Sequence, residues 1–162
     1  MKEDFNEAIE FVLEQEGDYT FDPNDPGGET KYGFSKKAYP SLDIKNLTRE
    51  AAIKIYQNDY WQPCKCDDLP RHFAFIVFDS AVNQGPRVAI RLLQIALGVS
   101  VDGIIGPKTL AAAASAAPRK IRLALAERLA AYSRLMAEKP NLLRYALNWS
   151  FRVLSLAKKV DV

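Results

Sequence analysis

Glu16 stands at the end of an amphipathic segment and inside a stretch rich in carboxylates and turn residues, "EQEGDYTFDPNDPGGETKYGFS" at 14–35. It lies eleven residues after Phe5, and at about 100° per residue this puts it on the apolar face of the preceding helix. Desolvation on that face, the partial negative charge at a helix C-terminus and the acidic residues of the following loop all disfavour the charged form of the carboxyl. A carboxyl group that stays protonated near neutral pH is what general-acid catalysis requires. A solvated helix end is the alternative interpretation.

Asp25 follows nine residues later, in a polar turn between two prolines that favours its ionised form. A protonated and an ionised carboxyl side by side are the pair that cleaves glycosidic bonds. Thr30, just past two glycines, could hold a water or a sugar hydroxyl. Tyr19 and Tyr32 are candidate surfaces for stacking on sugar rings. The residue types therefore predict a saccharide site built around this loop.

Further polar candidates lie later in the chain, in and after an almost wholly apolar helix. Asn83 and Gln84 end that helix and could bind sugar amides, although a plain polar helix end is an equally good interpretation. Asp79 is the only acid within it, and because a buried acid needs a partner, we expect it to pair with a lysine or arginine. Asp102 is expected to brace a turn by capping backbone amides, and His72 to be a first-turn helix residue.

The elements that must position these residues are predicted from apolar periodicity, capping residues and breakers. Thr48 is a good N-cap, Pro107 suits a first helical position, and Gly98 suits a helix stop. The pattern predicts a mainly α chain with one β-like loop. The predicted helices cover 5–16, 48 to about 61, 71–84 as the buried centre, 87–97, an alanine-rich segment from 107, a long one from 118 and a last one after 140–141, and residues 17–35 form a loop or short hairpin.

The composition sets the class of protein. The chain has 162 residues, 48% apolar and 26% charged, with net charge +2, which fits one globular domain, or one with a small lobe, and is too neutral to indicate nucleic-acid binding. Cys64 and Cys66 are expected to be plain thiols, because a C-x-C pair rarely reaches disulfide geometry. No apolar run reaches the ~18 residues of a membrane span, and the first residues, "MKEDFNEAIEF", lack the pattern of a signal peptide.

Four segments together resemble one known family. "EGDYTFDPNDPGGETKYGFS" closely resembles the E-G-G-Y…D-P-x-D-x-G-G-x-T-x-x-G-I segment of glycoside hydrolase family 108, with Asp18 and Phe34 replacing a glycine and an isoleucine. "FDSAVNQG" resembles its D-x-A-V-N-x-G helix end. "LLQIALGVSVDGIIGPKTLAAA" is similar to its peptidoglycan-binding-like C-terminal part, and "NWSFRV" to a late W-x-x-R segment in which Asn148 stands where glycine is usual.

This resemblance implies a lysozyme-like, mainly α fold, with a catalytic lobe at 1–85 and a helical lobe at 86–162 packed as one compact domain. It implies an N-acetylmuramidase that hydrolyses the β-1,4 bond between N-acetylmuramic acid and N-acetylglucosamine, with Glu16 as the acid. Asp25 and Thr30 resemble the spacing of the broader phage lysozymes, the threonine coming one residue early. The role of Asp25 as base, nucleophile or electrostatic support stays open. No metal or cofactor is required, and a monomer is expected.

Two other functions are compatible with the same residues. A lytic transglycosylase uses one acid glutamate, makes an anhydro product and could dispense with Asp25. A non-catalytic wall-binding or secretion-accessory protein would keep its effect after Glu16→Gln. For the hydrolase we expect a phage or prophage endolysin, made in the bacterial cytoplasm and acting on the wall after release, although a chain trimmed of a leader would look the same.

Overall fold

A computed structural model describes residues 2–16, 20–21 and 28–161. The predicted mainly α fold, with a short β structure after the first helix, is confirmed. The elements in chain order are α1 (Lys2–Glu16), β1 (Thr20–Phe21), β2 (Glu29–Lys31), β3 (Phe34–Ser35), α2 (Arg49–Tyr56) with a π-helical turn (Gln57–Trp61), a 3-10 turn (Cys66–Asp68), α3 (Arg71–Gln84), α4 (Pro86–Leu97), α5 (Pro107–Ala114), α6 (Arg119–Glu138), a 3-10 turn (Pro140–Tyr145) and α7 (Ala146–Lys159).

The predicted caps and breakers set the helix ends. The Thr48 side chain accepts a hydrogen bond from the Ala51 N–H at 3.2 Å and so caps α2. Pro107 occupies the first turn of α5, where its missing N–H costs nothing. Gly98 ends α4 in the left-handed region, at φ +79°, which glycine adopts without steric cost. Local sequence therefore determines where these helices begin and end.

The second helix differs from the sequence prediction, which ran it unbroken to about residue 61. It is α-helical only to Tyr56 and continues as a π-helical turn, closed by the Gln62 N–H donating to the Gln57 carbonyl at 2.9 Å. Tyr56 and Trp61 are both buried, yet five residues of α-helix would point them about 140° apart. The wider turn brings both rings to the core face, where Trp61 meets the Phe78 ring at a centroid distance of 5.2 Å.

Helix α3 is the buried centre of the molecule, as predicted. Every residue from 73 to 81 is buried, including one acid, Asp79. The helix packs against α1, α4 and α6. A single cluster of buried side chains runs from Phe5 in α1 to Val160 after α7. Residues far apart in sequence can therefore meet around α3.

The three short strands form an antiparallel sheet in the order β1-β2-β3. Thr30 of β2 pairs with Thr20 on one side and Ser35 on the other. The β2–β3 connection is the two residues Tyr32 and Gly33, both at positive φ (50° and 79°), which is the pattern of a type I′ hairpin turn. This turn folds back onto the end of α1, as the hairpin interpretation of residues 17–35 expected.

The remaining structural predictions concern single side chains. Cys64 and Cys66 are both buried free thiols, and burial raises the pKa of Cys66. Asp102 accepts a hydrogen bond from the Ile104 N–H at 2.8 Å, which confirms that it braces a turn. His72 is a first-turn residue of α3, with Nδ1 3.0 Å from the Val160 carbonyl oxygen. Among the described residues, none of the helices has the length and apolar character to cross a bilayer.

Candidate active site

Glu16 is the last residue of α1, and its side chain is 21% exposed. The periodicity placed Glu16 on the apolar face of α1, and its largely buried side chain agrees with that position. Its Oε1 accepts a hydrogen bond from Nη1 of Arg152 at 2.6 Å, across 136 residues of sequence. The described structure places a guanidinium against Glu16, and most of the acidic loop residues that the sequence predicted around it lie outside the described residues.

The other carboxylate oxygen of Glu16 faces the hairpin turn. A Cβ added to Gly33 would lie 2.9 Å from Glu16 Oε2 and 2.5 Å from the hydroxyl of Tyr56. That hydroxyl donates a hydrogen bond to the Tyr32 carbonyl oxygen at 2.8 Å and so fixes the turn. Glycine is needed here both for its positive φ and because no side chain would fit. The Oε2 atom is thus left beside bare backbone.

Arg152 is held in place by the buried carboxylate of Asp79. Its Nε and Nη2 donate to Asp79 Oδ1 at 3.0 and 2.8 Å, so the fork of the guanidinium has a fixed direction. Arg128, on α6, donates from Nη1 to Asp79 Oδ2 at 2.5 Å. The prediction that Asp79 would pair with a basic residue is confirmed, with two partners.

The charges of this cluster balance. Burial by itself would raise the pKa of Asp79, but the adjacent charges of Arg128 and Arg152 outweigh it and hold that pKa below its usual range. Burial would lower the pKa of Arg152, but Asp79 and then Glu16 outweigh it and raise it. With Glu16 ionised, two guanidiniums face two carboxylates. Asp79 therefore keeps Arg152 charged and aims its remaining nitrogen at Glu16.

Asn83 joins the same network through aromatic residues. The Arg128 Nε donates to the Tyr132 hydroxyl at 3.1 Å, and that hydroxyl donates to Asn83 Oδ1 at 2.5 Å. The Tyr132 ring stacks on Trp149, with 4.5 Å between centroids. The carbonyl of Asn83 is therefore committed to the protein. The interpretation of Asn83 as a polar helix end accounts for its carbonyl oxygen. The interpretation as a ligand-binding residue then depends on its amide nitrogen.

Two cavities lie beside this cluster. The Arg152 cavity, of about 380 Å³, is lined by Gln15, Asn83, Tyr145, Asn148, Trp149, Phe151 and Arg152. The Gln84 cavity, also of about 380 Å³, is lined by Asn83, Gln84, Val88, Ala131, Tyr132, Arg134, Leu135, Glu138 and Trp149. The two cavities share Asn83 and Trp149, and the first is lined by Arg152 and by Gln15, the residue before Glu16.

The other predicted site residues fall in different places. Tyr32 is half-buried in the hairpin turn beside Gly33. Thr30 is half-buried in β2, on the strand that leads to this turn. Gln84 lines its cavity, and its buried Oε1 has no hydrogen-bond partner in the described part of the chain. Asp25 and Tyr19 lie outside the described residues, so the structure neither supports nor opposes their predicted roles.

Three residues of the site were not predicted from the sequence. Arg152 is the arginine of the W-x-x-R segment, so its motif was noticed but no role was assigned to it. Gly33 belongs to the "KYGFS" end of the loop and could have been found as a two-residue hairpin signal. Tyr56 had no signal, because nothing local distinguishes it from any other buried aromatic. Within the described residues, no group of three or more histidine, cysteine, aspartate or glutamate side chains could hold a metal ion.

Comparison with known proteins matches two family models in succession. Residues 9–85 match the model described as Glycosyl hydrolase 108, and residues 88–153 match the one described as Predicted Peptidoglycan domain. Among solved structures, that of SagA from Brucella abortus has a TM-score of 0.83 and 31% sequence identity, and the match covers 99% of this chain and 95% of that chain. No curated protein matches the chain. Glu16 lies in the first matched region, and Arg152 lies in the second.

Proposed function

The chain belongs to glycosyl hydrolase family 108, and from this premise we propose that it cleaves the β-1,4 bond between N-acetylmuramic acid and N-acetylglucosamine, with Glu16 as the general acid. Its family and its peptidoglycan region make it a glycoside hydrolase that acts on peptidoglycan. The observation that carries the finer proposal is the Glu16 carboxyl, held on one oxygen by Arg152 and bounded on the other by Gly33.

In the proposed reaction the two oxygens of Glu16 have different tasks. Oε1 accepts the Arg152 N–H bond, so in the protonated acid this oxygen is the carbonyl. The acidic proton then sits on Oε2, because a hydroxyl oxygen is the poorer acceptor for a guanidinium donor. The Cβ position of Gly33, 2.9 Å from Oε2, carries no side chain. In this proposal the leaving glycosidic oxygen approaches Oε2 on the side of Gly33 and takes its proton there.

Arg152 also supports the step that follows. When the proton moves to the leaving group, the carboxyl becomes a carboxylate, and the adjacent guanidinium stabilises the new negative charge. Because Asp79 already fixes the direction of Arg152, little reorganisation is needed at that moment. Arg152, on α7, would therefore both position the Glu16 carboxyl and stabilise the charge that forms on it.

The second carboxylate of the proposed mechanism is Asp25. An oxocarbenium-like transition state needs negative charge, a nucleophile or an activated water on the opposite face of the sugar. Asp25 is the proposed source of one of these, with Thr30 holding a water or sugar hydroxyl nearby. Tyr19 and Tyr32 are proposed to stack on sugar rings, and Asn83 to donate its amide N–H to a sugar carbonyl.

The test is a digest of purified peptidoglycan by wild type and by Glu16→Gln, with the products identified by mass spectrometry. Glu14→Gln is the matched control, because Glu14 is an exposed residue of the same helix. We expect fragments with reducing N-acetylmuramic acid ends from the wild type and the control, and none from Glu16→Gln.

Each other product would change the proposal in a defined way. Anhydro ends would make the enzyme a lytic transglycosylase with the same acid. Reducing N-acetylglucosamine ends would mean that the other glycosidic bond is cut. A folded wild type that releases no fragments from several wall types would favour the binding or secretion-accessory protein.

The proposal extends to where the protein acts. We place it as a phage or prophage endolysin, made in the bacterial cytoplasm and reaching the wall after release. Fractionation of producing cells should then find wall cleavage only once the membrane is opened. Wall cleavage in intact cells would contradict this part of the proposal and leave the reaction untouched.

A further inference from the structure

Helix α7 is apolar on two opposite sides, of which only the inner one packs into the core. On the outer side, Leu147, Phe151 and Leu154 follow one another at the spacing of a single helix face. Their side chains are 66%, 59% and 62% exposed. Leu143, in the 3-10 turn before the helix, extends the row and is 66% exposed. These four residues are called the outer stripe, and a helix that is apolar all round is normally covered all round.

The charge of the same segment is of one sign. Residues 139–160 hold five basic residues and no aspartate or glutamate, whereas the whole chain holds 22 basic and 20 acidic ones. The remainder of the chain therefore has 17 basic against 20 acidic residues and is net negative. Positive charge that is concentrated in one amphipathic segment indicates a negatively charged partner for that segment.

Three exposed cations lie at the two ends of the outer stripe. Lys139 comes four residues before Leu143, Arg144 follows Leu143 directly, and Lys158 comes four residues after Leu154. Within the described part of the chain, none of these three cations forms a salt bridge. The two other basic residues of the segment are already paired with carboxylates. The three at the ends are therefore available to an anionic surface.

An apolar row with cations at its ends matches the surface of a lipid bilayer. Apolar side chains of such a helix enter the acyl region, while lysine and arginine extend to the headgroups. The 14 residues of α7 are about 21 Å long, which is shorter than the ~30 Å hydrocarbon core. The helix would therefore lie along the surface and would not cross the bilayer.

The outer stripe is less suited to a protein partner or to a second copy of the chain. Its four side chains expose roughly 400–500 Å², whereas a stable protein interface needs about 800 Å² from each partner. Two copies paired through the stripe would also bring their cations together, with no acid in the segment to balance them. A bilayer requires no complementary shape, so a narrow stripe is enough.

We propose that the outer stripe binds the surface of a membrane rich in anionic phospholipid. The four apolar side chains would enter the acyl region, and Lys139, Arg144 and Lys158 would lie against the lipid phosphates. This inference does not depend on the proposed reaction, because it assigns a second binding surface to the chain. It would hold the protein at a membrane without a membrane-spanning segment.

The test is cosedimentation of the full chain with vesicles made of equal parts phosphatidylglycerol and phosphatidylcholine. Vesicles of phosphatidylcholine alone are the comparison. The wild type should bind the anionic vesicles about a hundredfold more tightly, because each of three cations contributes about fivefold at an anionic surface. Added salt should reduce this difference, since it screens exposed charges.

Variants of the stripe test its apolar contribution. Leu147→Ser and Leu154→Ser should each lower the partition coefficient about tenfold, because each removes a large apolar side chain from the acyl region. Ile104→Ser is the matched control, since Ile104 is 65% exposed and lies outside the stripe, and its binding should be unchanged. Phe151 is kept, because it also lines the Arg152 cavity. The melting temperature should not change, since these side chains are exposed in the free protein.

Variants of the cations test the electrostatic contribution separately. Arg144→Gln and Lys158→Gln should each lower binding to the anionic vesicles about fivefold and leave binding to phosphatidylcholine unchanged. Lys54→Gln is the matched control, an exposed lysine of α2, and should bind as the wild type does.

The other outcomes overturn the inference in distinguishable ways. A wild type that binds neither kind of vesicle, or both equally, would remove the anionic membrane as the partner. A dimer on size exclusion that Leu147→Ser converts to a monomer would assign the stripe to a second copy. Lower wall cleavage by Leu147→Ser with unchanged vesicle binding would assign the stripe to the substrate. A wild type that binds anionic vesicles but cleaves no wall would support this inference and overturn the proposed function alone.

Discussion

Replacing Asp79 with asparagine should be among the most destabilising conservative changes in the chain. Asp79 is 1% exposed and receives N–H donors from two arginines, of which Arg128 is fully buried and Arg152 nearly so. Asparagine keeps the shape and one acceptor oxygen. It presents an NH₂ group where the other oxygen stood, and an NH₂ group cannot accept from a guanidinium. A buried positive charge is then left without its counter-charge.

The magnitude follows from the contacts that are lost. Either orientation of the amide sacrifices a charge-assisted hydrogen bond, worth about 1.5–3 kcal/mol. The bonds that remain are weakened, because the acceptor is no longer charged. Removing one partner of a buried ion pair costs about 3–5 kcal/mol in total. The Nη2 of Arg128 already lacks a hydrogen-bond partner in the described part of the chain, so the variant has little with which to compensate.

Urea unfolding followed by circular dichroism measures this effect. At a slope of about 2 kcal/mol per molar, the loss lowers the midpoint by about 2 M. Asp4→Asn is the matched control, since Asp4 binds Arg71 at 2.8 Å with its side chain 30% exposed, and an exposed pair is worth about 0–1 kcal/mol. If the two variants lose similar stability, the buried cluster is not the structural centre that its geometry indicates.

Three further outcomes are expected. Because the pKa of folded Asp79 is lowered, its carboxylate contributes to the free energy of unfolding above about pH 4, and this contribution is lost as the pH falls below that value. The stability difference between wild type and Asp79→Asn should therefore shrink below about pH 4. A constant difference down to about pH 2 would show that Asp79 is not the ionised partner of the two arginines. Gly33→Ala should lower both the melting temperature and kcat, since its Cβ would lie 2.9 Å from Glu16 Oε2 at a positive φ; unchanged kcat would show that Oε2 is not the working atom. Arg152→Lys keeps the positive charge but loses the paired N–H donors of the guanidinium. The kcat on peptidoglycan should fall about 10- to 100-fold and its pH profile should move, with KM little changed. A lysine variant with the full rate would remove Arg152 from the proposed mechanism.

The fold was predictable where its causes are local. Thr48, Gly98 and Pro107 act on their own helices, so their sequence signals located α2, α4 and α5. The π-helical turn before Gln62 was not predictable, because its cause is the packing of Trp61 against a core that other helices form. Periodicity assumes a constant 3.6 residues per turn and cannot indicate where a tertiary contact changes it.

The candidate site, too, was predictable only where its causes are local in the sequence. Glu16 was predicted from its place on one helix and beside one loop, and Asp79 from the general need of a buried acid for a partner. The sequence did not predict which basic residues would pair with Asp79, because Arg128 and Arg152 are 49 and 73 residues away from it. The pairing depends on α6 and α7 lying against α3 and α1, which only the assembled core determines.

This long-range pairing bears on what the second matched region does. The first region, 9–85, contains the proposed acid, and the second, 88–153, contains the arginine that holds it. A module that only bound the wall would have no reason to place a buried guanidinium against a carboxylate of the other region and to fix it with a second ion pair. Both cavities likewise use side chains from the two regions, with Asn83 on one side and Trp149 on the other. The second region therefore helps to set the geometry of the proposed acid, and changes at Arg152 should lower turnover before they weaken adhesion to the wall.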